Sequence, residues 1–351
     1  MAQRVVHYKK LYAELSARIS NGDICGKLPS IAELIREFDV SHNTVKKVLD
    51  QLKQAGLIHG VQGKGCYTLG GNKTGRTRQV GVWASNFEML NSSFYVNCIA
   101  VMRSILLKHN VVTKYYDIFT LPDMAELDAL VVIDHVNSGL KQLLENNIGG
   151  CRVIQVNISY FDNFTSVSSD NYSCGYQAMK YLYDHGHRKV GVLARELDFH
   201  FFKQRWAGAE RFAEAHDDLE LSCVELSCDI ICEKSPGIAA AEATYGMLAQ
   251  MPDITAVFAF TDVLSLGVLS ALQQSGLRVP QDVSLISVDN REFAPLTNPP
   301  LTSFAEDAEG IGKKVAAIIL DESSDSNKVE NYAFVPHLIV RKSVRNIAID
   351  R

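Results

Sequence analysis

The sequence predicts an α/β protein in which an N-terminal winged helix-turn-helix precedes a larger domain built on doubly wound parallel sheet. Three observations carry this. Residues 1–70 space their apolar side chains at three and four, as buried helix faces do. Residues 71–78, Gly-Asn-Lys-Thr-Gly-Arg-Thr-Arg, contain no apolar side chain and read as a basic linker. Residues 79–346 then alternate short apolar runs with helical stretches, the pattern of parallel strands covered by helices.

The first helix is marked by Tyr8, Leu11, Tyr12, Leu15 and Ile19 and stops at Asn21-Gly22. Gly26-Lys27-Leu28-Pro29 makes a turn, and Ser30 with Glu33 three residues on forms a capping box for a second helix burying Ile31, Leu34, Ile35 and Phe38. Ser41 caps a third helix whose inner stripe is Val45, Val48, Leu49 and Leu52. His42, Asn43, Lys46 and Lys47 lie near its start or on its outer face, where a helix entering the major groove carries its reading residues. Asn43 suits adenine, and Lys46 or Lys47 suits guanine or phosphate. Two short strands around the glycine-containing turn at Gly63 and Gly65 form the wing, with Lys64 as its charge.

Charge is divided along the chain. Residues 1–78 hold 13 Lys or Arg against 6 Asp or Glu, whereas the remainder holds 22 against 34. A basic head on an acidic body fits polyanion binding by the head alone. The chain is 351 residues long, 47% hydrophobic and 21% charged, the make-up of an ordinary globular protein of more than one domain. No apolar run approaches the ~18 residues of a membrane span, and residues 1–10 lack a signal peptide's apolar core, so a cytoplasmic place and no membrane partner are expected. The eight cysteines form no framework, and Cys223, Cys228 and Cys232 are not a zinc-spaced set, so no metal is expected. No dinucleotide fingerprint, P-loop, nucleophile elbow or zinc-protease motif is present, so neither catalytic residues nor a cofactor are expected.

In the larger domain the runs at 80–84, 129–133, 153–156, 190–194, 256–260 and 283–288 read as buried strands. Helical stretches at 95–107, 174–185 and 263–275 lie between them. In such a fold a ligand binds beyond the carboxyl ends of the strands.

The head resembles the GntR family of bacterial repressors over about 65 residues. Lys27-Leu28-Pro29-Ser30, then Ser41-His42-Asn43-Thr44-Val45 with Leu49, then Gly56-Leu57-Ile58, then Gly63-Lys64-Gly65 follow the family's order and spacing. The resemblance places Ser30, Ser41, Asn43, Thr44, Lys46 and Lys64 toward DNA. Ala32 and His42 stand where the family often has arginine, which points to weaker phosphate contact or a different operator.

The body resembles the effector domain of the LacI family, a periplasmic-binding-protein-like fold. The likeness rests on Val167-Ser168-Ser169-Asp170-Asn171, Gly175, Gly186-His187-Arg188-Lys189-Val190 and Arg205-Trp206-Ala207-Gly208. It continues through the run from Ala256 to Asp262, Gly276, the run from Val279 to Asn290, Pro300-Leu301-Thr302-Ser303 and Arg341-Lys342-Ser343. A GntR-like head on a LacI-like sensor is the arrangement of the arabinose-responsive repressor type.

That resemblance implies two lobes around a cleft, expected at 79–165 with 293–325 and at 166–292 with 326–346. It also implies Arg205, Asp289, Asp170 and Thr261 as polar ligand contacts, with Phe94 and Tyr95 following the first strand as ring-facing residues. Such a set suits a polyol, whose hydroxyls need paired donors and acceptors. Each has a plain structural alternative: Asp289 as a loop cap, Asp262 as the cap of the helix it precedes, Phe94 and Tyr95 as core. Thr261 stands where sugar-binding members often have asparagine. The implied function is a homodimeric repressor of a carbohydrate operon that binds a palindromic operator and answers to a monosaccharide, with pentoses and 6-deoxyhexoses first. A purine or phosphorylated effector, or a sugar-binding protein without a regulatory role, are the alternatives.

Overall fold

A computed structural model describes residues 2–20, 24, 27–55, 57–61, 65–68, 78–84, 93–133, 136–146, 151–195, 197, 199–226, 235–321 and 329–348. The chain forms two compact units, residues 1–79 with 106–112, and residues 80–105 with 113–351.

In the first unit, helices α1 (Ala2–Ser20), α2 (Ile31–Phe38) and α3 (His42–Gln54) are followed by strands β1 (Ile58–Val61) and β2 (Gly65–Thr68). Leu11, Leu15, Ile19, Leu34, Val45, Val48, Leu49, Leu52 and Ile58 share one core and are at most 5% exposed. Side chains of this kind contribute about 1.5–3 kcal/mol each when fully buried. Local chemistry sets the helix ends. The Ser30 N–H donates to Glu33 Oε2 at 2.6 Å and the Glu33 N–H donates to Ser30 Oγ at 3.3 Å, so the capping box at α2 is formed. Asp39 ends α2 in the left-handed region at φ 48°, a conformation that a short polar residue accepts. Ser41 Oγ then accepts from the Thr44 N–H at 3.3 Å to start α3. β1 and β2 pair antiparallel with His59 opposite Tyr67. Lys27 bridges to Tyr67 as a third edge of this sheet. Asn21, Gly22, Gly26, Gly56, Gly63, Lys64 and the linker from 71 to 77 lie outside the described residues.

The second unit holds two six-stranded sheets. The first is built from β3 (Gln79–Trp83), β4 (Val112–Tyr116), β5 (Ala129–Val132), β6 (Arg152–Val156), β7 (Thr165–Ser169) and β13 (Asn331–Phe334), in the order β13-β7-β6-β5-β3-β4. The second is built from β8 (Lys189–Arg195), β9 (Glu220–Leu226), β10 (Ala256–Ala259), β11 (Ser284–Val288), β12 (Thr302–Ala305) and β14 (His337–Ile339), in the order β14-β12-β11-β10-β8-β9. Neighbours from β8 to β12 run parallel, and β14 is antiparallel to β12. Every residue of β5, β10, β11 and β12 is buried, which is why these strands read as unbroken apolar or small-residue runs.

The sheets put the chain crossovers elsewhere than expected. β7 belongs to the first sheet through Ser169, β12 belongs to the second through Ala305, and β13 returns to the first at 331–334. The chain therefore passes between lobes near 170, 306 and 335, not at 165, 292 and 325. Strand pairing decides this, and motif positions alone do not carry pairing information.

Helices cover both sheets: α4 (Ser93–Lys108), α5 (Ser138–Glu145), α6 (Asn171–Asp184), α7 (His200–Ala213), α8 (Pro236–Gln250), α9 (Asp262–Gln274) and α10 (Ala308–Leu320). α6 and α7 touch backbone to backbone. A Cβ on Gly175 would lie 1.9 Å from the Arg205 carbonyl oxygen, and one on Gly208 would lie 2.0 Å from that of Tyr172. Only glycine permits this approach, and it brings the Arg205 side chain to the first residue of α6.

The second lobe is closed by residues 343–347. Ser343 Oγ donates to the Leu285 carbonyl at 2.5 Å and accepts the Thr302 N–H at 2.8 Å, and the Arg345 N–H donates to Ser284 Oγ at 2.9 Å. Buried His187 joins Thr255 Oγ1 at 3.0 Å and the Arg345 carbonyl at 3.1 Å.

Candidate DNA-binding face and effector site

α3 presents a polar face of the kind that reads DNA. Its buried stripe leaves Ser41, His42, Asn43, Lys46 and Lys47 exposed on the other side. Thr44 is half-buried, its Oγ1 2.8 Å from Ser41 Oγ, so the pair fixes the first turn rather than reaching freely outward. Ser30 is exposed, with its Oγ already engaged as a cap. In the wing, Gly65 is exposed at φ +112°, a conformation that a side chain would strain. Lys27, which sequence reasoning did not single out, is exposed beside it, with Cε 3.5 Å from where a Gly65 Cβ would stand. Only the bridge of Lys27 to the sheet reveals this neighbour.

In the second unit the notable side chains gather at the carboxyl ends of the strands. Arg205, on α7, is 2% exposed. Its Nε donates to Asn171 Oδ1 at 2.7 Å and its Nη1 to the Phe260 carbonyl at 2.6 Å. Its Nη2 lies 3.3 Å from Glu306 Oε1, with the Glu306 side chain 4% exposed. Asn171 and Glu306 stand at two of the crossovers, and Asn157, just past β6, touches both. Asn157 Oδ1 accepts from Asn171 Nδ2 at 3.4 Å, and its Nδ2 donates to Glu306 Oε1 at 3.5 Å. One guanidinium thus holds two passages between lobes in fixed register.

Asp289 follows β11 at φ 109°, outside the range favoured by side-chain-bearing residues. Its carboxylate is 4.0 Å from Arg291 Nε, the one ion pair it makes among the described residues. Burial, and then the negative charges of Asp262 and Glu306, push its pKa well above the usual carboxylate range. Asp262 is not the cap of the helix it opens. It is fully buried and accepts from Ser287 Oγ, Ser303 Oγ and the Arg291 N–H, at 2.5, 2.7 and 2.6 Å. The cap is Thr261, whose Oγ1 accepts the Leu264 N–H at 3.3 Å. Asp170 likewise caps α6, taking the N–H and hydroxyl of Ser173 at 2.8 and 2.6 Å. Both caps leave these residues at strand ends, with their oxygens engaged locally.

Phe94 and Tyr95 sit in the first turn of α4 as an edge-to-face pair, each 6% exposed. The rings near Arg205 belong to α7. Phe201 and Phe202 lie 6.0 and 5.8 Å from its guanidinium carbon, and Phe199 joins their cluster. The run Phe199-His200-Phe201-Phe202 was the available signal, legible only once the α7 register aligns it with Arg205. Among the described residues, no three His, Cys, Asp or Glu side chains gather as metal ligands. Cys223 is half-buried with its thiol pushed up to about 12 by burial, while Cys228 and Cys232 lie outside the described residues. No described helix is long and apolar enough to cross a membrane.

Residues 7–68 match the family described as bacterial regulatory proteins, gntR family, and residues 179–344 match the periplasmic binding protein-like domain. The chain is a chimera that joins a gntR-family match to a periplasmic binding protein-like match. The chimera is similar to the HTH-type transcriptional repressor PurR of Photobacterium profundum, 31% identical over 175 residues, 49% of the chimera and 51% of that protein. It is also similar to PurR of Pasteurella multocida, 29% identical over 243 residues, 61% of the chimera and 70% of that protein. It therefore spans between half and about two thirds of the length of these curated relatives. Among solved structures, the CelR–cellobiose complex matches with a TM-score of 0.66 at 22% identity, covering 87% of the chimera and 91% of that chain. A LacI-family regulator from Enterococcus faecium with bound ribose matches with a TM-score of 0.61 at 21% identity, covering 77% and 99%. These structures share the chimera's fold.

Proposed function

We propose that the chimera is a cytoplasmic, sequence-specific transcription regulator, a repressor of a carbohydrate-utilisation operon whose DNA affinity is set by a small sugar. The observation that carries this reading is an exposed polar α3 face in a chain whose second unit places buried Arg205 and half-buried Asp289 at the carboxyl ends of parallel strands. In this reading residues 1–70 bind DNA, 71–78 link and 79–346 sense. Asn43, Lys46 and Lys47, with His42, Ser41 and Thr44 at the helix start and Ser30 on α2, meet the operator, and Lys64 and Gly65 bring the wing to the backbone. Arg205 and Asp289 address ligand hydroxyls, and Asp170 and Thr261 border them. Two protomers place two heads on a palindrome. Ligand shifts operator affinity by a coupling free energy typically of about 1–3 kcal/mol. Pentoses and 6-deoxyhexoses are the first candidates.

The PurR relatives favour a second reading, a purine effector acting through the same cleft. A thermal-shift screen of the purified protein against neutral monosaccharides, purines and sugar phosphates separates the two. A ligand at a hundred times its Kd stabilises the folded state by about 2.7 kcal/mol. A response to a monosaccharide that also changes operator affinity supports the first reading, and a response to purines alone replaces it with the second.

A further inference from the structure

We propose that Glu306 is a specificity-determining residue that makes this effector site refuse anions and accept uncharged ligands rich in hydrogen-bond donors. The proposal rests on the sensor reading above and defines the ligand class of that same site.

A phosphate or carboxylate entering the strand ends would seek Arg205, whose planar donors suit such groups. That guanidinium is already neutralised. Glu306 Oε1 faces Nη2 at 3.3 Å, with both side chains almost fully buried. Asn157 Nδ2 holds the same oxygen at 3.5 Å, so Glu306 is anchored from the other lobe and is not a loose surface carboxylate. An incoming anion that took Arg205 would leave Glu306 buried without its cation, the unfavourable half of a broken buried pair.

An uncharged ligand meets different terms. It leaves the Arg205–Glu306 pair intact and finds an acceptor in Asp289, whose carboxylate makes one ion pair among the described residues, the 4.0 Å approach of Arg291. Hydroxyl or ring N–H donors satisfy that oxygen without adding negative charge.

The test uses the full chain in calorimetric titration at constant ionic strength. The probes are D-glucose with D-glucuronate, D-ribose with D-ribose 5-phosphate, hypoxanthine with urate, and inorganic phosphate. For the wild type we expect the neutral member of a responding pair to bind at least about tenfold more tightly, and phosphate to show no saturable binding. Glu306→Gln keeps the size and one acceptor but frees the guanidinium charge. It should lose at least about tenfold of that discrimination and gain phosphate binding, whereas Glu306→Asp should behave like the wild type. A charged member that binds the wild type as tightly as its neutral partner overturns the proposal. So does a Glu306→Gln protein that keeps full discrimination and ignores phosphate. If Glu306→Gln does not fold, the wild-type pairs and Glu306→Asp decide; if no pair binds, the phosphate arm decides. Silence from both sugars with a response to hypoxanthine overturns the sugar effector alone, since the hypoxanthine–urate pair still reads the charge rule.

Discussion

Gly175 lies against the backbone of Arg205, so closely that a Cβ on the glycine would stand 1.9 Å from the Arg205 carbonyl oxygen. The contact places the α7 arginine beside Asn171 at the start of α6. Gly175→Ala and Gly208→Ala must each push α6 and α7 apart, and overpacking of this kind costs about 1–3 kcal/mol. Urea unfolding should show that loss, with a lower midpoint and weakened effector response together. Gly246, exposed on α8, has no atom within 4 Å of its missing Cβ. Gly246→Ala should instead stabilise by about 0.5–1 kcal/mol. Equal effects at the two kinds of site would contradict the packing described.

Arg205→Ala should remove ligand response and destabilise the second unit by about 3–5 kcal/mol, because Glu306 is left buried and unpaired. Adding Glu306→Gln should recover part of the stability but none of the ligand response. A ligand response that survives Arg205→Ala would remove Arg205 from the site.

On DNA, Asn43→Ala is expected to lower affinity by about 1–3 kcal/mol and relax base preference at one position. Lys46→Ala or Lys47→Ala, if the lysine meets phosphate, should weaken all sequences alike and reduce the salt slope by about one. Fluorescence anisotropy across a salt series measures both quantities. Operator binding unchanged in the Asn43→Ala, Lys46→Ala double variant would mean that α3 is not the reading helix.

His187 provides a pH signature. Burial, with Arg345, Arg188 and His185 nearby, lowers its pKa to about 4, whereas the unfolded chain titrates near the ordinary 6.5. Below pH ~6.5 the unfolded state takes the proton first, so this contribution is full above that pH and falls away as pH drops toward 4. A separation of this size corresponds to about 3 kcal/mol when fully expressed. His187→Gln should be less stable than the wild type at pH 7.5 but lose stability less steeply toward pH 4.5. Parallel curves would exclude His187 as a source of the slope.

Much of the architecture was legible because each helix of the first unit carries its own stripe, and α2 and α3 their own caps. Ser30 with Glu33, Ser41 with Thr44, and the Leu11–Leu15–Ile19 face are local statements, and local contacts form them. The central strands were legible for a related reason, since burial on both faces leaves unbroken apolar runs. β4, β7, β9, β12, β13 and β14 escaped, being edge strands, polar or short; Thr165–Ser169 is a strand through its pairing with β6 and β13. At the proposed effector site, Arg205 and Asp289 were implied by the family resemblance. Glu306, Asn157 and the Phe199–Phe202 rings were not, because they meet Arg205 only through the crossovers and the α6–α7 contact. Thr261 took the capping role expected of Asp262, since a carboxylate with three buried donors available need not cap the helix beside it.

The closure of the second lobe by residues 343–347 bears on how the protein is made. Among the described residues, the core cluster of the head lies within residues 8–66, so that part can collapse as soon as it leaves the ribosome. His187, Ser284 and Leu285 must wait for Ser343, Arg345 and their neighbours, 58 to 158 positions later. During synthesis there is therefore an interval in which a nascent chain carries a finished DNA-reading head on a sensor still short of its last pairing. On the proposed function, an unfinished chain can then engage nucleic acid but has no means of answering a ligand, and obedience to the effector is the last property the molecule acquires.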